Sequence, residues 1–321
     1  MTASSPGGRT RTVFIGTGWF GVESLRALVG VRGIDLVGVV TAPARPAGRQ
    51  QNLTPSPIEV EAQLLGVAPI LTPARLRDPS AVVDVLALGA ELVVLADYGR
   101  IVPDTLLASS HGALNVHPSL LPRYRGATPI PAAILAGDAA TGVSIIRMDA
   151  GIDTGPVVAA EQVALNGRET APELEAILAT VAAGLLERTV TPWIGGELEA
   201  VPQDEALAML TRPLERADGR LDPARSAAEL ERMVRAYLPW PATYVETGLM
   251  GRLIVRAATV GPAASSDEPG QLVAEGDGLA LATTDGRLVL SQVQLEGRRA
   301  MDSSTLRRGA PDLVGAAVSS G

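Results

Sequence analysis

Several residue types are absent or scarce in this chain of 321 residues. It has no cysteine, which excludes disulfide bonds, thiol nucleophiles and zinc sites with cysteine ligands. Its two histidines, His111 and His117, lie six residues apart, which is poor spacing for a shared metal site, so we expect no bound metal. Aromatic residues make up 3% of the chain, which disfavours the stacking surfaces that bind single-stranded nucleic acid.

Lysine is also absent, so all 27 basic side chains are arginines, and the net charge is −8 at pH 7. The excess of acid lies in residues 1–211, which hold 14 arginines against 21 acidic residues. Proteins that bind DNA through its backbone are usually basic, so we expect no DNA partner. Any contact with RNA must therefore come from local groups of arginines.

Long apolar runs are missing as well, which excludes a membrane-spanning segment of the usual length. Residues 1–11 lack the apolar core of a signal peptide, and we interpret them as a disordered lead-in. We expect a cytoplasmic protein, a monomer, with no membrane partner. The length allows two domains, each with its own hydrophobic core.

The most informative stretch is ALNVHPSLLPRYRG, residues 113–126. Its first residues predict a buried strand in which Asn115 and His117, two positions apart, project from the same face at the strand's end. Open α/β sheets bind their ligands at this edge. Pro118 and Pro122 exclude an immediate helix and indicate a rigid loop that closes at Gly126.

A second loop, MDAGIDTG at residues 148–155, follows another apolar strand and offers Asp153 as a carboxylate. An amide, an imidazole and a carboxylate suit acyl transfer without a covalent intermediate. Asn115 and His117 can stabilise an oxyanion, and Asp153 can mediate proton transfer. A structural reading stays open, since a single histidine at a strand end is often a packing residue and such an Asp-Gly loop is often only a turn.

The chain resembles the folate-dependent formyltransferases, and within them the branch that acts on methionyl-tRNA. The resemblance rests on NVHPSLLPRYRGATPI followed by MDAGIDTGPV, and extends to ARPAGR, ADYG, LPWP and RRAM elsewhere in the chain. It implies that Asn115, His117 and Asp153 are catalytic. It implies that Ser119, Leu120, Leu121 and Pro122 line the pocket of the donor, 10-formyltetrahydrofolate. It also implies that Arg45 and Arg49 contact the acceptor, initiator methionyl-tRNA.

Strands and helices alternate over residues 12–203, which predicts an α/β domain with a doubly wound parallel sheet. Residues 204–211 have the composition of a linker. Short strands separated by Gly and Asp follow in residues 212–321, which predicts a small antiparallel barrel, and the family's C-terminal domain is OB-like. Residues 41–57 form an unusually long connection rich in Pro, Gly and Arg, which we expect to be irregular and either functional or disordered.

Specific features of the sequence bear on other functions. Gly16-Thr-Gly-Trp-Phe-Gly21 matches the dinucleotide-binding pattern, but the strand over 35–40 carries no acidic residue at its end to bind a ribose, so we interpret the glycines as a tight turn. A formyltransferase for a sugar nucleotide or a purine precursor, and a hydrolase that releases formate from the same donor, remain alternatives. A non-catalytic RNA-binding module is disfavoured by the negative charge and the few aromatic residues.

Overall fold

The computed structural model describes residues 8–47 and 51–318. The chain folds into two compact units. The first comprises Met1–Pro129, Ala140–Ala164 and Glu175–Thr211, and the second comprises Ile130–Ala139, Leu165–Leu174 and Arg212–Gly321. Among the described residues, no helix combines the length and apolar character needed to cross a membrane. The domain boundaries that we expect at 11/12, 203/204 and 211/212 remain predictions.

The first unit is built on alternating strands and helices. Its strands are β1 (Thr10–Gly16), β2 (Ile34–Val40), β3 (Arg45–Ala47), β4 (Asn52–Thr54), β5 (Ile70–Leu71), β6 (Leu92–Ala96), β7 (Ala113–His117), β8 (Arg125–Gly126), β9 (Ala140–Arg147), β10 (Val157–Ala164) and β11 (Leu210–Thr211). The helices of this part of the chain are α1 (Phe20–Gly30), α2 (Pro57–Leu64), α3 (Pro79–Ala87), α4 (Asp104–Leu107), α5 (Pro129–Ala136) and α6 (Ala171–Ile194), of which the last two belong in part to each unit.

Seven strands form the main sheet of this unit, in the order β10-β9-β7-β6-β1-β2-β5. The five strands from β7 to β5 are parallel, and β6 is apolar and buried along its whole length, as a sheet covered on both faces requires. The predicted α/β fold class is thereby confirmed. At one edge of the sheet, β9 runs antiparallel to both of its neighbours, β7 and β10.

The connection over 41–57 differs from the expected irregular loop. β3 and β4 pair as a short antiparallel hairpin, and Leu53 on it is 71% exposed. At the base of the hairpin the buried hydroxyls of Thr41 and Ser56 lie 2.7 Å apart. Ser56 also accepts the Glu59 amide proton and so caps the first turn of α2. An exposed hairpin therefore projects from a fixed, hydrogen-bonded base.

The second unit carries a six-stranded antiparallel sheet, in the order β12-β13-β16-β15-β14 with β17 beside β16. Its elements are α7 (Ala227–Ala236), β12 (Thr243–Thr247), β13 (Gly251–Gly261), β14 (Leu272–Glu275), β15 (Gly278–Ala282), β16 (Arg287–Leu295), β17 (Met301–Asp302) and α8 (Ser303–Gly309). Register shifts between Val255 and Ala258 bend the long strand β13 where it pairs with β16. This sheet confirms the predicted OB-like C-terminal fold.

Candidate active site

The three residues that the sequence predicts to be catalytic lie together at the carboxyl end of β7. Asn115 Nδ2 donates to Asp153 Oδ1 over 3.0 Å, and His117 Nδ1 lies 3.6 Å from Asp153 Oδ2. Asn115 is half-buried, whereas the side chains of His117 and Asp153 are only 6% and 15% exposed. A polar cluster this enclosed at the ligand edge of a parallel sheet is a candidate for chemistry.

The His117 ring is oriented by a backbone carbonyl in the following loop. Its Nε2 lies 2.9 Å from the carbonyl oxygen of Tyr124, which can only accept, so Nε2 carries a proton. The neutral ring then presents an unprotonated Nδ1 to Asp153. A second proton on the ring would make Nδ1 a donor towards the same carboxylate. The histidine therefore has one structural nitrogen and one that faces the site.

The predicted donor segment, residues 119–122, opens the loop between β7 and β8. Ser119 is fully buried, and its hydroxyl donates to the Arg123 carbonyl over 2.6 Å. Ser144 on β9 donates to the Ser119 carbonyl and accepts the Leu121 amide. The Leu120 side chain packs so closely on Gly142 of β9 that a Cβ there would lie 2.6 Å from it. Ser119 thus closes the loop, and the leucines supply its apolar surface.

The loop that carries Asp153 is shaped by close backbone approaches. Asp149 accepts from the Gly151 amide at 3.0 Å and from the Thr154 hydroxyl at 2.6 Å. A Cβ at Gly155 would lie 1.9 Å from the Arg147 carbonyl oxygen, so only glycine fits there. This loop turns back on β9 and brings Asp153 towards Asn115.

Asp153 is held by groups that the sequence analysis did not identify. Its Oδ2 accepts the backbone N–H of Gly126 over 2.8 Å. Its carbonyl accepts from Gln203 Nε2 over 2.8 Å, and the same nitrogen lies 2.6 Å from the Gly155 carbonyl. No local sequence signal marks these partners, because Gln203 is fifty positions away from Asp153 and Gly126 acts through its backbone.

The glycine pattern before α1 has a different use from dinucleotide binding. A Cβ at Gly18 would lie 1.8 Å from Asp97 Oδ2, so the absent side chain makes room for that carboxyl group. Dense surrounding protein raises the pKa of Asp97, although the residue keeps an exposed edge, and a hydrogen bond from the Phe20 amide opposes the rise. The chain's own Asp97 carboxyl group therefore lies against the turn at which such a pattern would bind a phosphate.

A second carboxyl group reaches the same helix terminus. Burial raises the pKa of Glu175, the nearby Asp97 raises it further, and the Phe20 amide opposes both. Two carboxyl groups near one helix N-terminus disfavour the binding of a pyrophosphate there. The interpretation of the glycines as a tight turn agrees with this geometry.

The two arginines predicted to contact RNA fall in the connection over 41–57. Arg45 begins β3, is exposed, and has no side-chain partner among the described residues. Arg49 lies outside the described residues. As for metals, no group of three or more potential metal-ligating side chains is found in the part of the chain that the structure describes.

Comparison with known proteins places this site in a family. The profile of the formyl transferase family matches residues 10–190, and that of the formyl transferase C-terminal domain matches residues 213–311. The chain belongs to the formyl transferase family and is a transferase, as the resemblance in the central loops implies.

Relatives with known names indicate which branch of the family the chain resembles. The chain is 42% identical over 301 residues to the methionyl-tRNA formyltransferase of Roseiflexus sp. (strain RS-1), covering 93% of this chain and 92% of that one. It is 40% identical over 303 residues to the methionyl-tRNA formyltransferase of Myxococcus xanthus (strain DK1622), covering 94% and 95%. The resemblance to the branch acting on methionyl-tRNA is thereby confirmed.

Solved structures share the fold at low identity. The N-formyltransferase from Helicobacter canadensis, in complex with folinic acid and dTDP-3-aminofucose, matches with a TM-score of 0.63 at 14% identity, covering 89% of this chain and all of that one. HypX from Aquifex aeolicus, in complex with tetrahydrofolic acid, matches with a TM-score of 0.63 at 15% identity, covering 93% of this chain and 47% of that one. These similarities support the fold alone.

Proposed function

We propose that this chain transfers the formyl group of 10-formyltetrahydrofolate to the amino group of methionine on initiator methionyl-tRNA. The activity is that of a methionyl-tRNA formyltransferase, and the observation that carries it is about 40% identity to enzymes of that name over more than nine-tenths of the chain. A folate donor follows from membership of the formyl transferase family, to which residues 10–190 match.

The Asn115 amide stabilises the tetrahedral oxyanion in this proposal. The methionyl nitrogen attacks the formyl carbon, the carbonyl oxygen becomes negative, and the bond from that carbon to the folate nitrogen then breaks. One Asn115 N–H is held by Asp153, and no described residue uses the other. That second N–H is available to a developing negative charge, and a donor of this kind typically contributes a factor of about 10²–10³ to turnover.

Asp153 and His117 handle the protons. The attacking amine loses a proton and the departing folate nitrogen gains one, so the two changes balance. The Asp153 carboxylate accepts the proton of the amine, directly or through water. It shares this proton with Nδ1 of His117, which faces it. Because His117 Nε2–H is donated to Tyr124, the ring can donate to a reacting oxygen only through Nδ1–H, when it is doubly protonated.

The substrates are bound by flanking segments. Leu120 and Leu121 supply the apolar wall for the flat ring of the donor, with Ser119 and Pro122 fixing the loop. Arg45 and Arg49 in the connection over 41–57 contact the acceptor stem, because guanidinium groups suit phosphates and base edges. With a net charge of −8, the enzyme must hold RNA through such local arginines. A monomeric enzyme in the cytoplasm remains our prediction.

The experiment measures formyl transfer from 10-formyltetrahydrofolate to methionyl-tRNA and, in parallel, release of free formate. Wild-type protein is expected to form formylmethionyl-tRNA, whereas formate release without transfer would indicate the hydrolase instead. Asn115→Ala is expected to lower kcat by about 10²–10³ with little change in donor KM. His117→Ala is expected to inactivate, while the matched control His111→Ala, just before the start of the same strand, keeps activity. Equal activity in the two histidine variants would overturn the assignment.

A further inference from the structure

Residues 203–211 contact the loops that form the site. They lie in the stretch predicted to end one domain and link it to the next. Gln203 uses all of its polar atoms between the two loops. Its amide nitrogen lies 2.8 Å from the Asp153 carbonyl and 2.6 Å from the Gly155 carbonyl, and its oxygen accepts from Arg125 Nε over 3.0 Å. A single side chain thereby joins the loop of Asp153 to the loop that follows His117.

The orientation of the Gln203 amide is determined by chemistry. A guanidinium group can only donate, so the amide oxygen must face Arg125, and a carbonyl can only accept, so the NH₂ group must face the two loop carbonyls. Each of its two hydrogens then has one acceptor. Flipping the amide would leave three contacts repulsive, which makes the observed arrangement specific.

We propose that Gln203 is a positioning residue that holds Asp153 in its productive conformation. Asp153 has φ of 52°, in the left-handed region that a residue other than glycine seldom adopts. The bond to its carbonyl fixes the peptide plane that follows, and the carboxylate direction depends on that plane. This inference rests on the proposed catalytic role of Asp153.

Arg125 supports Gln203 from the other side. It is 3% exposed, and it donates to both Glu205 carboxylate oxygens, at 2.9 and 2.7 Å. Its backbone pairs with the same segment, since its N–H donates to the Met209 carbonyl and its carbonyl accepts from the Thr211 hydroxyl. The guanidinium group is thus fixed at three points, and Gln203 is supported by a rigid neighbour.

Loss of the Gln203 donors is expected to act on kcat. A displacement of about 1 Å at a reacting group costs on the order of 10²-fold in rate. Gln203→Leu and the isosteric Gln203→Glu, which cannot donate to the carbonyls at neutral pH, are both expected to lower kcat about 10²-fold, with KM for either substrate within about threefold. Gln162→Leu, an exposed glutamine on β10, is the matched control and is expected to keep wild-type kinetics.

A double-mutant cycle separates positioning from a general structural role. In an Asp153→Asn background, measured by single turnover at high enzyme concentration, Gln203→Leu is expected to have no further effect on rate. A merely structural role would lower the melting temperature and reduce the rate by the same factor in both backgrounds. Full activity in Asp153→Asn would overturn the proposed catalytic role. If Asp153→Asn is slow but measurable, then wild-type kcat in Gln203→Glu, or multiplicative effects in the cycle, would overturn this inference alone.

Discussion

Gly126 is the residue at which a single added methyl group tests the geometry of the site most directly. Its φ is +99°, which side-chain-bearing residues rarely adopt, and a Cβ there would lie 2.4 Å from the Thr211 carbonyl oxygen. Its N–H also donates to Asp153 Oδ2 over 2.8 Å. Gly126→Ala therefore forces apart β8 and β11 at the point where the loop binds the Asp153 carboxylate, which we propose to be catalytic.

Two separate costs can be estimated for this substitution. The backbone conformation costs an alanine about 1–3 kcal/mol. An ordinary contact begins at 3.4 Å, so the Thr211 carbonyl and the new methyl group must also separate by 1.0 Å. If the loop moves, its N–H moves with it, and a 1 Å error at a reacting group costs on the order of 10²-fold in rate. We expect a lower melting temperature and a kcat reduced about 10²-fold.

A control substitution at another glycine separates the free-energy cost of the positive φ from that of the contact with Thr211. Gly196 has φ of +71° and would have nothing within 4 Å of an added Cβ. Gly196→Ala is therefore expected to lose stability by the conformational term alone and to retain full kcat. Thermal unfolding and steady-state formylation of methionyl-tRNA would be measured for both variants. If Gly126→Ala matched Gly196→Ala in both measurements, the close packing of Gly126 on residue 211 would have no role in holding Asp153.

Three further outcomes are expected. Gly18→Ala displaces the Asp97 carboxyl group and should lower the melting temperature, whereas adding Asp97→Ala should restore most of the loss, and additive losses would contradict the contact. The Arg287 side chain lowers the pKa of Asp267 from 3.8 to about 2, so this pair stabilises the fold above that range and loses its effect as the pH falls from 3.8 to 2. Arg287→Met should therefore make the free energy of unfolding depend less on pH in that range, and an unchanged pH dependence would refute this. Leu121→Asp should raise the KM for 10-formyltetrahydrofolate in a folded protein, and an unaltered KM would remove this leucine from the donor pocket.

The central features of the site are predictable from the sequence because they are local. Asn115 and His117 share a face because side chains in a strand alternate, and the prolines that follow allow only a loop. Asp153 lies near them because its loop follows the neighbouring strand β9 in the sheet. The pattern of apolar residues and turns thus predicts which side chains meet at the sheet edge, and the structure brings these three together.

The contacts of residues 203–211 are not predictable in this way. Arg125 contacts Gln203 and residue 211 over separations of 78 and 86 positions. β11 has two residues, and Leu210 within it is 77% exposed, so neither periodicity nor burial marks it as a strand. Its order comes from hydrogen bonds to a distant loop, and composition alone makes the stretch resemble a linker.

Backbone strain explains why so many contacts converge on this edge of the sheet. Among the described residues, five that are not glycine have positive φ, and three of them, Asp97, Tyr124 and Asp153, follow strands β6, β7 and β9. Each such conformation costs on the order of 1–3 kcal/mol and persists only where its surroundings fix it. Fixing contacts are present at all three. The Asp97 carbonyl accepts from the Thr17 amide, and the Tyr124 carbonyl accepts from His117. Asp153 is bound on both its side chain and its backbone. A sequence pattern carries no sign of these conformations, because aspartate and tyrosine adopt them here only through tertiary contacts. The same contacts that offset the strain also orient the imidazole and the carboxylate. Removing one of them should therefore lower kcat more than it lowers the stability of the fold.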